Sequence, residues 1–282
     1  MAGEMIGGYR LVKVLWSGQH TWVWEAVENV SGRHFGLKLM YPEKAAKADH
    51  RKFFLHEAEV GKQLAHPNII RIVHIGLTPE PYYVMEYFPS GNLRMRIQHH
   101  ETDFLREKAP EILKQAATAL AYTHASGWVH RDVKPDNMLV NAAGELKLID
   151  FALAQRIPSG LARLFWRRTK AQGTRSYMSP EQIRSLPLDG RADMYSFAAS
   201  AYELVTGRPP FRASSQMELL HKHVREKPSS PVVYNPDLTK EFCDLILQML
   251  AKKKEDRPRD FHDVLMRLRS TKIFKSGGAQ AG

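Results

Sequence analysis

The sequence predicts an α+β protein, and three observations predict it. Strand-like alternation crowds the N-terminal third and is interrupted by a single helical pattern. Helical spacing governs most of the remainder. Between a long helical pattern and a short apolar strand lies a dense polar stretch, Val129-His-Arg-Asp-Val-Lys-Pro-Asp-Asn137. That stretch brings a carboxylate, an ammonium and an amide together between Asp132 and Asn137. Asp132 can orient a hydroxyl and accept its proton. Lys134 can neutralise a transferring phosphoryl group. Asn137 can offer an oxygen to Mg²⁺, a hard cation that prefers oxygen ligands.

At 282 residues the chain is long enough for one large domain or two lobes, and a hydrophobic content of 43% supports a buried core. Basic residues exceed acidic ones by 41 − 30 = 11 with His neutral, read here as scattered solvated Lys and Arg. Two stretches concentrate the excess, Arg163–Lys170 and Lys252-Lys-Lys254. Nucleic-acid binding has only net charge behind it and is not expected. Cys243 is the single cysteine, so no internal disulfide can form, and a reducing compartment fits. It lies in the apolar run Phe242–Leu250 and reads as a core residue. No apolar run approaches the ~20 residues of a membrane span. The N-terminus carries no signal-peptide pattern. These readings place the chain in the cytoplasm. Ser276–Gly282 is small and polar and reads as a flexible end, as in a chain cut from a longer protein.

In order, Tyr9–Val14 alternates and reads as a strand, and a second strand begins within Leu15-Trp-Ser-Gly-Gln-His-Thr-Trp-Val-Trp24. By itself that stretch is a β-hairpin with aromatic pairs. Phe35-Gly-Leu-Lys38 is a third strand, and apolar residues flank Lys38 on both sides. A buried-side ammonium needs a partner. Asp49–Leu64 reads as a helix with Phe53, Phe54, Ala58 and Leu64 at apolar positions, and it offers two carboxylates, Glu57 and Glu59. His56-Glu57 lacks the second histidine of a zinc helix because position 60 is Val. Gly61 lowers helix propensity by ~1 kcal/mol against Ala. Pro81–Leu93 is a strand running into a Pro-Ser-Gly turn. Leu105–Ser126 has apolar residues at 105, 109, 112, 113, 116, 117, 120 and 121, helical spacing with one buried face. Leu146-Lys-Leu-Ile-Asp150 is an apolar strand ending in a carboxylate. Asp193–Thr206 reads as a buried helix with Asp193 as N-cap and Gly207 as C-terminal stop. Met217–Arg225, Lys240–Leu250 and Asp260–Arg269 are further helical patterns.

Val129–Asn137 resembles the catalytic loop of protein kinases. Thirteen residues past Asn137, Asp150-Phe151-Ala152 resembles their metal-binding motif with Ala where Gly is usual. The wording Leu-Ala-His-Pro-Asn-Ile-Ile (64–70) and Leu-Val-Thr-Gly-Arg-Pro-Pro-Phe (204–211) is most similar to bacterial Ser/Thr kinases. The resemblance covers nearly the whole chain. It implies a two-lobed fold, with a small antiparallel-sheet N-lobe carrying one main helix and a larger, mainly helical C-lobe. The implied domain spans 9–270, with the N-lobe at about 9–86, a hinge at about 86–91, the C-lobe at about 92–270, and 271–282 as flexible tail or linker. The implied activity is transfer of the γ-phosphate of ATP, with Mg²⁺ or Mn²⁺, to Ser/Thr hydroxyls of protein substrates, with autophosphorylation in the 152–176 segment. The alternative is a pseudokinase scaffold that binds partners without useful turnover. A small-molecule kinase is disfavoured by the ending Gly173-Thr-Arg-Ser-Tyr-Met-Ser-Pro-Glu181.

The resemblance also assigns residues. Asp132, Lys134, Lys38 and Glu57 are the catalytic set, with Glu57 rather than Glu59 selected by counting back from His66-Pro-Asn. Gly18, Val23, Gly36, Lys38, Met85, Glu86, Phe88, Leu139 and Asp150 are assigned to the nucleotide. Met85 is the gatekeeper, the backbones of Glu86 and Phe88 face adenine, and Leu139 is the floor against Val23. Asn137 and Asp150 are the metal ligands. Thr174 is expected to bond Asp132 and Lys134, Glu181 to pair with Arg257, Asp193 to brace the catalytic loop, and Arg131 to meet a phosphorylated Thr169 or Ser159. Five positions depart from the family: Trp16 and Thr21 replace glycines of the phosphate loop, Gly36 replaces the usual Ala above the adenine, Ala152 follows Asp150-Phe151, and Gly61 stands where a bulky residue is common.

Overall fold

The computed structural model describes residues 2–77, 80–157 and 172–275. The chain forms two compact units, Met1–Ser90 with Asp150–Ala152, and Gly91–Ile149 with Leu153–Gly282. The expected activation-segment features, Leu161–Lys170 with the Ser159 and Thr169 sites, and the flexible end Ser276–Gly282 lie outside the described residues.

In the first unit, β1 (Met5–Ile6), β2 (Tyr9–Ser17), β3 (Thr21–Glu28), β4 (His34–Met40), β5 (Ile72–Gly76) and β6 (Tyr82–Glu86) form an antiparallel sheet in the order β1-β2-β3-β4-β6-β5. Two helices follow β4, α1 (Pro42–Ala45) and α2 (Ala48–Gln63). Period-two alternation decides what each face holds. Leu37 and Leu39 join Leu11, Trp24, Ala26, Tyr82 and Val84 in one apolar cluster. Gly36 and Lys38 point the other way, with Lys38 directly across from Val23 on β3 and Tyr83 on β6. Met40, Ile72 and Tyr83 pack with Phe54 and Ala58 of α2. The helix therefore buries the stripe expected from its spacing, with one correction: Phe53 is 44% exposed, because Phe54 and Ala58 already define the face turned to the sheet.

The second unit contains β7 (Gly91–Asn92), α3 (Leu93–Gln98), α4 (Thr102–Ala125), β8 (Trp128–Val129), β9 (Met138–Val140), β10 (Leu146–Leu148), β11 (Gln155–Arg156), α5 (Pro180–Ile183), α6 (Gly190–Thr206), α7 (Gln216–Arg225), α8 (Lys240–Met249) and α9 (Phe261–Ser270). Helix α6 is buried on every face from Ala192 to Val205 and packs against α4 and α8. It begins at Gly190, with the Asp189 side chain accepting from the Arg191 amide, so Asp193 is not its N-cap. Gly207 closes it at φ 70°, a left-handed conformation suited to glycine. Cys243 is buried in α8 as expected. Residues 271–275 do not behave as the expected tail. Leu238 pairs with Phe274, the Thr239 amide donates to the Ile273 carbonyl at 2.9 Å, and Ile273 is buried. An apolar Ile–Phe pair keeps that segment against the unit. The polar stretch Val129–Asn137 links β8 to β9, and its end is wound into a 3-10 turn, Pro135–Asn137.

Candidate active site

In the first unit the Lys38 ammonium donates to both oxygens of Glu57, at 2.8 Å each. Strand β4 points Lys38 at α2, and the turn that buries Phe54 and Ala58 also buries Glu57. Glu59 is exposed, so the choice between the two glutamates falls as the family register had it. Tyr83, cross-strand from Lys38, donates its hydroxyl to Glu57 Oε1 at 2.8 Å. That tyrosine was not singled out from the sequence, where it looked like one more residue of an apolar strand. Burial works against charge on Lys38, but the carboxylates of Glu57 and Asp150 outweigh it and hold the ammonium above its ordinary range.

Asp150 adopts φ 68° and accepts from the Ala152 amide at 3.3 Å. The left-handed step of this turn therefore falls on Asp150, and Ala in place of Gly is accommodated. Gly36 lies against the Met85 side chain: a Cβ there would sit 3.0 Å from Met85 Cγ. At Gly61 a Cβ would sit 2.5 Å from Ile72 Cδ1, so Ile72 fills the notch that the missing side chain leaves. Val23 sits on β3, and the Glu86 amide donates to the Arg71 carbonyl at 2.9 Å.

In the second unit Asp132 is surrounded by donors. Lys134 reaches its Oδ2 at 2.6 Å, while the amide and the hydroxyl of Thr174 both reach its Oδ1 at 2.9 Å. Lys134 also donates to the Thr174 hydroxyl at 2.8 Å, so the expected three-way contact is present. Burial alone would raise the Asp132 carboxyl, yet Lys134 and Thr174 hold it below the ordinary range. Asn137 donates its amide nitrogen to the Asp132 carbonyl at 2.8 Å. Leu139 follows on β9, partly buried and paired with Lys147.

The loop backbone is braced from beneath. Asp193 accepts from the amides of His130 at 2.7 Å and Arg131 at 2.8 Å, with His124 Nε2 also on it at 2.8 Å. Arg131 takes φ 70°, an unusual conformation for a long side chain, which this bracing sustains. Gly173 has φ 127° and approaches the Arg131 carbonyl, where a Cβ would sit at 3.0 Å. Glu181 and Arg257 form a bidentate pair at 2.6 and 2.9 Å, as expected. A further cluster went unnoticed in the sequence: Arg94 contacts Asp136, Glu203 and the Tyr177 hydroxyl, and Tyr177 donates to Glu203. Its members lie far apart in the chain and carry no joint pattern. The Lys252–Lys254 run is not simply solvated either, since Lys252 donates to the His223 carbonyl at 2.9 Å and Lys254 to Asp189 at 2.9 Å.

One unit holds a buried lysine–glutamate pair and the other an aspartate–lysine–asparagine loop, the residue types that the protein kinase resemblance singled out. Sequence comparison agrees: the protein kinase domain family matches residues 9–267, and the chain belongs to that family. It is 34% identical over 257 residues to a probable serine/threonine-protein kinase of Streptomyces coelicolor, covering 89% of this chain and 38% of that protein. A probable serine/threonine-protein kinase of Corynebacterium efficiens is 33% identical over 265 residues, covering 88% of this chain and 39% of the relative. The serine/threonine-protein kinase PknB of Mycobacterium tuberculosis is 33% identical over 254 residues, covering 88% and 40%. The chain thus spans about two-fifths of the length of these relatives.

Proposed function

We propose that this chain is a protein Ser/Thr kinase that transfers the γ-phosphate of Mg·ATP to hydroxyls of protein substrates. The observation that carries this reading is the Thr174 hydroxyl, held 2.9 Å from Asp132 and 2.8 Å from Lys134. A Ser/Thr-type hydroxyl already sits on the carboxylate and ammonium that an acceptor would use. The names of these relatives, all serine/threonine-protein kinases, support the same acceptor class.

In this reading Asp132 orients the acceptor. A carboxylate held below its ordinary range is ionised at neutral pH and is a weak base. It therefore positions the hydroxyl and takes the proton late, when the oxygen has already bonded to phosphorus. Lys134 stabilises charge developing on the γ-phosphoryl. Lys38, held by Glu57, positions the phosphates of ATP, while Gly18, Val23, Gly36, Met85, Glu86, Phe88 and Leu139 serve the nucleotide. Mg²⁺, when bound, supplies charge neutralisation on the phosphates. Asn137 fits a hard cation because its nitrogen is spent on the Asp132 carbonyl, which leaves the amide oxygen as the end it offers. Asp150 offers a carboxylate oxygen of the same kind. Positioning and electrostatics supply most of the rate, since phosphoryl transfer asks little covalent chemistry of the protein. No helix among the described residues is long and apolar enough to cross a membrane.

The test is transfer of labelled γ-phosphate from Mg·ATP to a generic basic protein and to the chain itself. Asp132→Asn is expected to lower kcat by about 10²–10⁴-fold while nucleotide still binds. Full transfer by Asp132→Asn, or none from the unmodified chain with its fold and nucleotide binding intact, would sink the reading and favour the scaffold.

A further inference from the structure

The two lost glycines of the phosphate loop are not vacant departures, because other groups hold the turn between β2 and β3. The Trp16 indole lies over Gly18: a Cβ at residue 18 would fall 1.8 Å from the Trp16 ring. The Trp16 ring occupies the space that a side chain at residue 18 would take. Thr21 is buried at 7% exposure, and its carbonyl accepts the Gly18 amide at 2.9 Å, closing the turn on itself. The third participant is Tyr41, where the chain leaves β4. Its hydroxyl donates to the Gly18 carbonyl at 2.7 Å and lies 2.9 Å from Ser17 Oγ. Its amide donates to the His20 carbonyl at 3.0 Å. Its ring stands edge-on to Trp22, with centroids 4.1 Å apart. The His20 ring packs on His50 of α2, with centroids 4.4 Å apart. Backbone and side chain of one tyrosine thus hold both limbs of the Ser17–Thr21 turn.

We propose that Tyr41 is a positioning residue for the phosphates of the nucleotide, latching the Ser17–Thr21 turn into its binding geometry before the nucleotide arrives. A glycine-rich loop is ordered at the moment of binding and loses conformational freedom then. A latched turn has lost that freedom already, so less of the binding free energy goes into ordering it. Trp16 and Thr21 are the sequence trace of this exchange: side-chain bulk replaces freedom. The proposal rests on the nucleotide reading given above.

Tyr41→Phe removes the hydroxyl and leaves the ring on Trp22. Losing the two hydroxyl contacts is expected to weaken Mg·ATP binding about fivefold or more, seen as equal rises in Kd and in KM for ATP with kcat within about twofold. Amide exchange of Gly18 and Tyr41 in the nucleotide-free chain should quicken by a similar factor. Three results would overturn the proposal. Exchange and Kd could both stay unchanged. Exchange could quicken with Kd unchanged. The melting temperature and kcat could fall together while Kd holds, which would mark Tyr41 as packing only. Absence of Mg·ATP binding by the unmodified chain would remove the nucleotide reading and the proposal with it, whereas equal binding by both chains would remove the proposal alone.

Discussion

Two buried ion pairs, Glu181–Arg257 in one unit and Lys38–Glu57 in the other, are built differently. In Glu181–Arg257 the guanidinium is fully buried, holds both carboxylate oxygens and also donates to the carbonyls of Ala251 and Arg191. In Lys38–Glu57 the ammonium is 16% exposed and the carboxylate is shared with Tyr83. Arg257 is a fork with fixed geometry, whereas Lys38 is a point charge on a flexible stem. The first is a permanent staple between α5 and the loop that follows α8. The second leaves its ammonium accessible, as a group that must also meet a ligand requires. The contrast shows how one interaction type serves two ends: full satisfaction fixes a fold, and partial satisfaction keeps a charge available.

The largest stability effect expected from this comparison is at the staple. Arg257→Met leaves Glu181 charged and unpartnered in the interior and should cost about 3–5 kcal/mol in urea denaturation. Lys38→Met should cost less, on the order of 1–2 kcal/mol, because Tyr83 still donates to Glu57 and burial together with Asp150 favours its neutral form. Phosphate transfer should nonetheless vanish. Equal losses in the two variants would erase the distinction.

A mid-sized effect is expected at the notch that seats α2. Gly61→Ala forces a Cβ against Ile72 Cδ1 and should destabilise by about 1–3 kcal/mol through overpacking, with transfer impaired as Glu57 is displaced. Adding Ile72→Val trims the clashing methyl and should restore both. If the double variant behaves no better than Gly61→Ala, Ile72 does not set the seat of α2.

A different kind of effect is a slope in alkaline pH. Burial, reinforced by Arg257, lowers the Lys252 ammonium to about 8. The unfolded value is about 10.4. Between these two values the unfolded chain holds more protons than the folded one, so stability should rise as pH climbs from about 8 to about 10.4 and stay flat below that window. Lys252→Met should lose the rise. A slope of the same size in both proteins would move the effect to another group.

Much of the fold was legible because its signals are local. The apolar spacing of Leu105–Ser126 becomes α4, Gly207 ends α6, and Asp132, Lys134 and Asn137 stand close enough in sequence to share one turn. Elsewhere two signals compete. Phe53 and Phe54 are equally apolar, and only the sheet beneath α2 selects Phe54. At Asp193 the family resemblance and the local helix-start pattern pointed different ways, and the resemblance was right: its carboxylate accepts from the His130 and Arg131 amides, while Asp189 caps the helix. The Arg94 cluster, Tyr83 on Glu57 and the Tyr41 latch left no pattern at all.

By itself, then, the sequence determined the class of fold, the order of its elements and the chemistry of the catalytic loop. Each of these is written over a few neighbouring residues and survives without knowledge of distant ones. Tertiary structure decided that Tyr83 joins Glu57, 26 residues away, that Arg94 meets Glu203, 109 residues away, and how Tyr41 holds a turn 23 residues before it. Those contacts depend on strand register and helix phase, which add up over the whole chain, so a change of one residue in either would turn the side chain to another face.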